Sequence, residues 1–214
     1  MNMVNRWRTG LIAGCLSALA GIATVPAVPV RAGLFDGPVD RLPVEERVAL
    51  RNGKTVVTGV EGNYVGKVLV AATPDVVWSV LTDYPNFPKF LPNVVSTQIV
   101  EANGNRKVVE QVSERQIFLV SVTSRVRTEN TETEKQRIDF RLVDGDLKEL
   151  QGFWLIEPVS EIPGKEPAQV LITQEVQAKP KGGTPEGMFY DIFKGAIEGN
   201  LKAIKKEVNK RSAK

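Results

Sequence analysis

Tyr84, Phe87 and Phe90 stand three residues apart in LTDYPNFPKFLP (81–92), interleaved with Pro85, Pro88 and Pro92 and followed by Leu91. Rings at that spacing offer apolar and stacking contacts, and proline lowers the entropy cost of fixing an irregular segment. The chemistry on offer is recognition of an apolar surface. Groups that make and break bonds are scarce. The chain has no histidine and one cysteine, which excludes a Ser-His-Asp triad, a Cys-His pair, a His-ligated zinc site and an internal disulfide. A metal would rest on oxygen ligands alone, and no calcium-loop spacing of acids occurs. KPKGGTPEG (179–187) lacks the Gly-Lys-Ser/Thr ending of a phosphate loop and reads as a hinge and helix cap. No cofactor is expected.

The elements that must position these rings follow from periodicity. YVGKVLVAA (64–72) reads as a strand, and Thr73-Pro74-Asp75 opens a short helix over 75–83 that the prolines then end. Six strand candidates follow, with turn signals at Asn103-Gly104 and Asp144-Gly145. IFLVSVTSRVRT (117–128) places Phe118, Val120, Val122 and Val126 on one face, together with Ser124. RIDFRLV (137–143) turns Ile138, Phe140 and Leu142 inward and Arg137, Asp139 and Arg141 outward. In LKELQGFWLIEP (147–158), Trp154 and Ile156 share one face while Phe153 and Leu155 share the other. AQVLITQEVQA (168–178) aligns Val170, Ile172 and Val176, with Gln174 among them. The series predicts an antiparallel meander. A long amphipathic helix closes the pattern, with Thr184 as N-cap, Pro185 first, and Phe189, Ile192, Phe193, Ala196, Ile197, Leu201, Ile204 and Val208 in one stripe.

Ahead of the meander, LPVEERVALRNG (42–53) has the signals of a short helix and KTVVTGV (54–60) those of a strand. Because strand 147–158 is apolar on both faces, both faces need cover. Residues 34–60 are expected to supply the outer cover by packing Val44, Val48 and Leu50 against the sheet, the alternative being a membrane or partner surface.

At 214 residues, 42% hydrophobic and 25% charged, the chain supports one domain with a substantial core. Residues 1–32 read as an export signal: Arg6 and Arg8, an apolar run from Leu11 to Val25, and VRA at 30–32 before the cleavage point. Export to a periplasm or lumen is therefore expected. IAGC (12–15) offers lipoprotein anchoring at Cys15 as a minor alternative, against which the run before Cys15 is short. The net charge of +3 belongs to this segment, which holds Arg6, Arg8 and Arg31 and no acid; the remainder balances 25 basic against 25 acidic residues. Nucleic-acid binding thereby loses its electrostatic footprint. The basic residues of the terminal helix, Lys202 to Lys214, read as a solvated face near a helix C-terminus, with peripheral contact to anionic lipid as the alternative.

ATPDVVWSVLTDYPNFPKFLPNV (72–94), DFRLVDGDLKELQGFWLIEP (139–158), a late strand and a terminal amphipathic helix, in that order, resemble the START-like superfamily (SRPBCC), within it the polyketide cyclase and coenzyme Q-binding group. The resemblance covers roughly residues 64–208. It implies an α+β helix-grip fold, in which a curved antiparallel sheet wraps a long C-terminal α-helix and leaves an apolar cavity. It also implies a domain at 64–210, with the signal at 1–32, an extension at 33–63 and a tail at 211–214. The expected ligand-binding residues are Tyr84, Phe87, Phe90, Leu91, Val122, Phe140, Trp154, Ile156, Ile172, Gln174, Phe189, Phe193, Ile197 and Asn200, with the aromatic stretch either a lid or wall at the cavity mouth or an ordinary connector anchored by its rings in the core. No natural nucleophile with an adjacent base stands among them. The expectation is a non-enzymatic binder or carrier of a lipid or isoprenoid quinone. A cyclase or dehydratase of the same fold and a ligand-free interaction module are the alternatives.

Overall fold

Alternation with a period of two dominates the chain from residue 56 onward, and it yields strands wherever it runs. A computed structural model describes residues 37–117, 120–160, 165–183 and 185–213. The proposed signal, Cys15, Phe118 and the Thr184 cap lie outside the described residues. Among those described, helix α1 (Val44–Arg51) precedes strands β1 (Val56–Val60) and β2 (Asn63–Val70). Helix α2 (Pro74–Leu81) and a 3-10 helix (Tyr84–Lys89) interrupt the sheet before β3 (Val94–Asn103) and β4 (Arg106–Ile117). Strands β5 (Val120–Thr133), β6 (Arg137–Gly145), β7 (Leu147–Val159) and β8 (Gln169–Pro180) lead into helix α3 (Glu186–Ser212). The sheet order is β1-β2-β8-β7-β6-β5-β4-β3, every neighbour antiparallel. The meander from β3 to β8 thus returns to β2, and α3 lies in the resulting groove against β2 and α2. This is the helix-grip arrangement that the resemblance implied.

The core sits between the inner sheet face and α3. Val68, Val70, Ile138, Ile156, Ile172 and Val176 meet Ile197, Leu201, Ile204 and Val208 of α3, and Val77, Val80 and Leu81 of α2 join them. Gly66 makes the close seating of α3 possible. A methyl group there would stand 2.5 Å from Leu201 Cδ1 and 2.9 Å from Ile197 Cγ2. α3 runs to Ser212, past the boundary at 210, and Arg211 is bound into the fold: it donates to Asp83 Oδ2 (2.7 Å), Glu207 Oε1 (2.9 Å) and the Ser79 carbonyl (3.0 Å).

The outer face corrects one expectation. The extension does cover the sheet, but Val44 and Val48 point away and are 60% and 53% exposed. Leu50 and Val39 instead bury against Leu69, Val159 and Leu171, flanked by Leu42 and Val56. The rotation has a polar cause. Lys67 on β2 holds Glu46 Oε2 at 2.9 Å, so the face of α1 carrying Glu46 and Leu50, four residues apart, turns to the sheet. Phe153 has a different cover: the Arg137 guanidinium lies 3.7 Å from its ring centroid. Toward the β3 edge the outer face is a charged ladder, with Glu110 between Arg125 and Arg127 and Glu129 between Arg106 and Arg141.

Candidate ligand-binding site

The groove between sheet and α3 is filled at one end and hollow at the other. α2 packs Val77 into the solid core, while its Val80 and Leu81 reach the lining of the hollow. The hollow end is a cavity of about 190 Å3. Phe140 and Trp154 from the sheet, Phe193 and Ala196 from α3, and Phe87 and Leu91 from the lid segment supply its apolar wall. Its polar groups are Gln111, Thr128, Asn130, Gln174, Asn200 and the Tyr84 phenol, and among the described residues no Asp, Glu, Lys or Arg lines it.

The lid is regular where an interrupted turn was expected. A 3-10 helix has three residues per turn and eclipses side chains at i and i+3, which is the spacing of Tyr84, Phe87 and Phe90. Their rings stack edge to face at 5.4 and 5.6 Å. Pro85 occupies the first turn, where its missing N–H is no loss. Behind the lid, Tyr84 donates to Glu132 Oε1 at 2.8 Å, and Lys107 donates to both Glu132 oxygens at 2.9 and 2.8 Å. Burial first, and then the adjacent Glu132 charge, pushes the phenol pKa well above its ordinary 10.0. The sign follows directly. Above pH about 10 the unfolded chain loses this proton before the folded one does, so the contribution to stability is full below that pH and is lost as pH rises further. Thermal melts between about pH 8 and 12 should show a steeper alkaline fall in the wild type than in Tyr84→Phe; parallel curves would remove the phenol from the account.

The remaining polar groups differ in commitment. Asn130 donates to the Thr128 carbonyl (3.2 Å) and hydroxyl (3.1 Å), and Gln111 donates to the Ser113 hydroxyl (3.2 Å). The Gln174 carboxamide oxygen is buried and has no partner, a condition that costs a fold about 1–3 kcal/mol. Among the described residues, no three His, Cys, Asp or Glu side chains gather closely enough to hold a metal ion.

Comparison with known proteins bears on this geometry. The family model described as polyketide cyclase / dehydrase and lipid transport matches residues 70–205. The chain belongs to this family. Members of the fold among solved structures include a START superfamily protein from Mycobacterium smegmatis (18% identity, 69% of this chain and 97% of that one, TM-score 0.57). The Zhui aromatase/cyclase of Streptomyces sp. R1128 aligns at 19% identity over 70% of this chain and 94% of that one, TM-score 0.53. A STAR-related lipid transfer protein from Xanthomonas axonopodis aligns at 18% over 72% and 92%, TM-score 0.55. At such identities the likeness is one of fold. The ribosome association toxin RatA of Escherichia coli K12 is 29% identical over 94 residues, 44% of this chain and 56% of the relative, so the match spans about half the length of that protein.

Within this family framework, nine of the expected residues converge on the cavity: Tyr84, Phe87, Leu91, Phe140, Trp154, Gln174, Phe193, Ile197 and Asn200. Five are placed elsewhere. Ile156 and Ile172 are register partners packed solid in the core, outside the cavity lining. Val122 is 44% exposed, on the part of β5 before Val126 that has no β6 partner, and lies outside the lining. Phe189, in the first turn of α3, stacks on Phe193 at 5.4 Å without reaching the hollow. Phe90 comes after the last residue of the 3-10 helix, where the backbone has left the helical path, and lies outside the cavity lining, 5.8 Å from the Arg211 guanidinium. Ser124, paired with Ser113 on the same part of β5, lies outside the lining too. Sequence reasoning missed Gln111, Thr128 and Asn130. The period-two pattern through Val126 continues to Thr128 and Asn130 and would have found the last two.

The split between Phe87 and Phe90 is testable. Phe87→Ser should weaken uptake of an apolar fluorescent probe by about tenfold, the scale of one lost aromatic contact. Phe90→Ser should leave uptake within about twofold while lowering the melting temperature. Equal effects on uptake would place both rings at the mouth.

Proposed function

We propose that the chain binds and carries an uncharged hydrophobic small molecule, a lipid or isoprenoid quinone, without altering it chemically. One observation carries the reading: an aromatic-walled hollow with no ionised side chain in its lining among the described residues. Apolar burial at about 25 cal/mol per Å2 then supplies affinity without charge pairing. The volume holds one ring or a short length of chain; drug-sized ligands occupy about 300–1,000 Å3. A long prenyl or acyl tail would therefore leave past the lid. A cyclase or dehydratase needs an acid or base in the hollow. The titratable side chain there is Tyr84, whose hydroxyl is committed to Glu132. Four cations of α3 have partners within the fold, which favours the solvated-face reading over lipid contact. Lys202 pairs with Glu198, Lys210 with Glu207 and Arg211 with Asp83, and Lys205 donates to the Gly53 carbonyl. Export remains part of the proposal and rests on the composition of residues 1–32.

Mass spectrometry of organic extracts from natively purified full chain tests the reading. A stoichiometric neutral lipid or prenylated ring is expected. Empty protein that also takes up nothing from a total lipid extract would overturn it.

A further inference from the structure

The cavity's polar groups fall into two sets, and the division says what kind of head the ligand has. Tyr84, Thr128, Asn130 and Gln111 are all hydrogen-bonded within the fold. Gln174 and Asn200 are not. Gln174 sits in β8 between Gly66, which has no side chain, and Trp154. Its carboxamide oxygen has no surface open to a water-sized probe and no donor beside it, so a ligand in the hollow meets it by a turn of the amide about its terminal bond. Asn200 approaches the same hollow from α3, and among the described residues its side chain makes no hydrogen bond.

A carboxamide both donates and accepts, and rotation by half a turn presents either end. The complement of two such groups is a head that donates and accepts at one compact point. A carboxylate or ammonium would enter a wall with no counter-charge, at the full desolvation cost. A hydrocarbon would leave the Gln174 oxygen as it is. A ketone or ether accepts but cannot donate, so it answers the amide hydrogens and not the oxygen. A hydroxyl answers both. Size agrees: an apolar cavity of about 150 Å3 admits benzene, so 190 Å3 takes one ring with a substituent.

Building on the carrier reading above, we propose that the ligand head is a neutral, hydroxyl-bearing ring, received by the carboxamides of Gln174 and Asn200. For a redox-active ring the fold then selects the reduced, hydroxylated form over the oxidised, carbonyl-only form.

Calorimetric titration of the full chain with three probes tests this: 4-propylphenol, its isomer 4-ethylanisole, which accepts but cannot donate, and 4-ethylbenzoate. The phenol should bind at least about tenfold more tightly than its isomer, the scale of one hydrogen bond to a buried group, and the benzoate should not bind measurably at neutral pH. Gln174→Met, which keeps length and removes the amide, should bring the two isomers within about twofold. Asn200→Leu should narrow the gap as well, and it serves as the test should the methionine variant fail to fold. Equal binding of the isomers to the wild type, or a tenfold gap surviving in both variants, overturns the proposal while leaving the carrier intact. Failure of all three probes to bind the wild type overturns the carrier reading and this inference with it.

Discussion

Leu201→Ala is expected to lower stability by about 3–4 kcal/mol, the range for truncating a fully enclosed leucine, and to reduce the melting temperature by on the order of 10 °C. Leu201 has no exposed surface and stands at the midpoint of α3, where the helix crosses β2. The cost depends on how far the surroundings collapse into the space left behind. Gly66 makes that question answerable. Gly66→Ala alone should cost about 1–3 kcal/mol by overpacking, because its methyl would press on Leu201 and Ile197. In Leu201→Ala the nearer obstruction is gone, and the same methyl enters vacated space. The double variant should therefore be more stable than the sum of the single effects by about 1–2 kcal/mol, a coupling size typical of residues in contact. Chemical denaturation of the four proteins reads it directly. Strict additivity would mean that α3 is not seated on Gly66.

Ala196→Phe is expected to reduce ligand binding about a hundredfold or more, equivalent to about 2.7 kcal/mol, while stability shifts by no more than about 1 kcal/mol. Ala196 lines the hollow from α3 beside Phe193 and Asn200. A benzyl group at that position occupies space a ligand would need, and it contacts the ring wall already present. Stability and binding therefore part company, which separates this variant from one that merely damages the fold. Probe titration beside thermal melts gives both quantities. Unimpaired binding would place the ligand outside the groove.

Much of this architecture was legible in the sequence because strands and amphipathic helices leave periodic marks. The alternation of Ile138 and Phe140 with Arg137, Asp139 and Arg141 names inner and outer faces unaided, and the charged ladder outside confirms the assignment. The stripe from Phe193 to Val208 likewise gives the inward side of α3. What did not show was which part of an inward face meets a void and which meets another element. Ile156 and Ile172 carry the same pattern as Trp154 and Gln174, yet the first pair is packed solid in the core and the second lines the hollow. That is a property of three-dimensional arrangement, and no single strand records it. The rotation of α1 was hidden similarly: Val44 and Val48 look like a buried i, i+4 pair until Lys67, from another element, fixes Glu46. The 3-10 lid was the opposite case. Its three-residue aromatic spacing was visible in the sequence and matches the pitch of that helix.

The order of elements along the chain bears on how this groove is made. The walls, β2 through β8, are synthesised before α3, which fills them. Until that helix leaves the ribosome, Val68, Val176 and Trp154 lack the apolar stripe of α3 that packs with them, and the half-built sheet is a sticky trough. Its biogenesis should accordingly lean on holdase chaperones during translation, and messages stalled within the codons for α3 should yield the most aggregation-prone fragments.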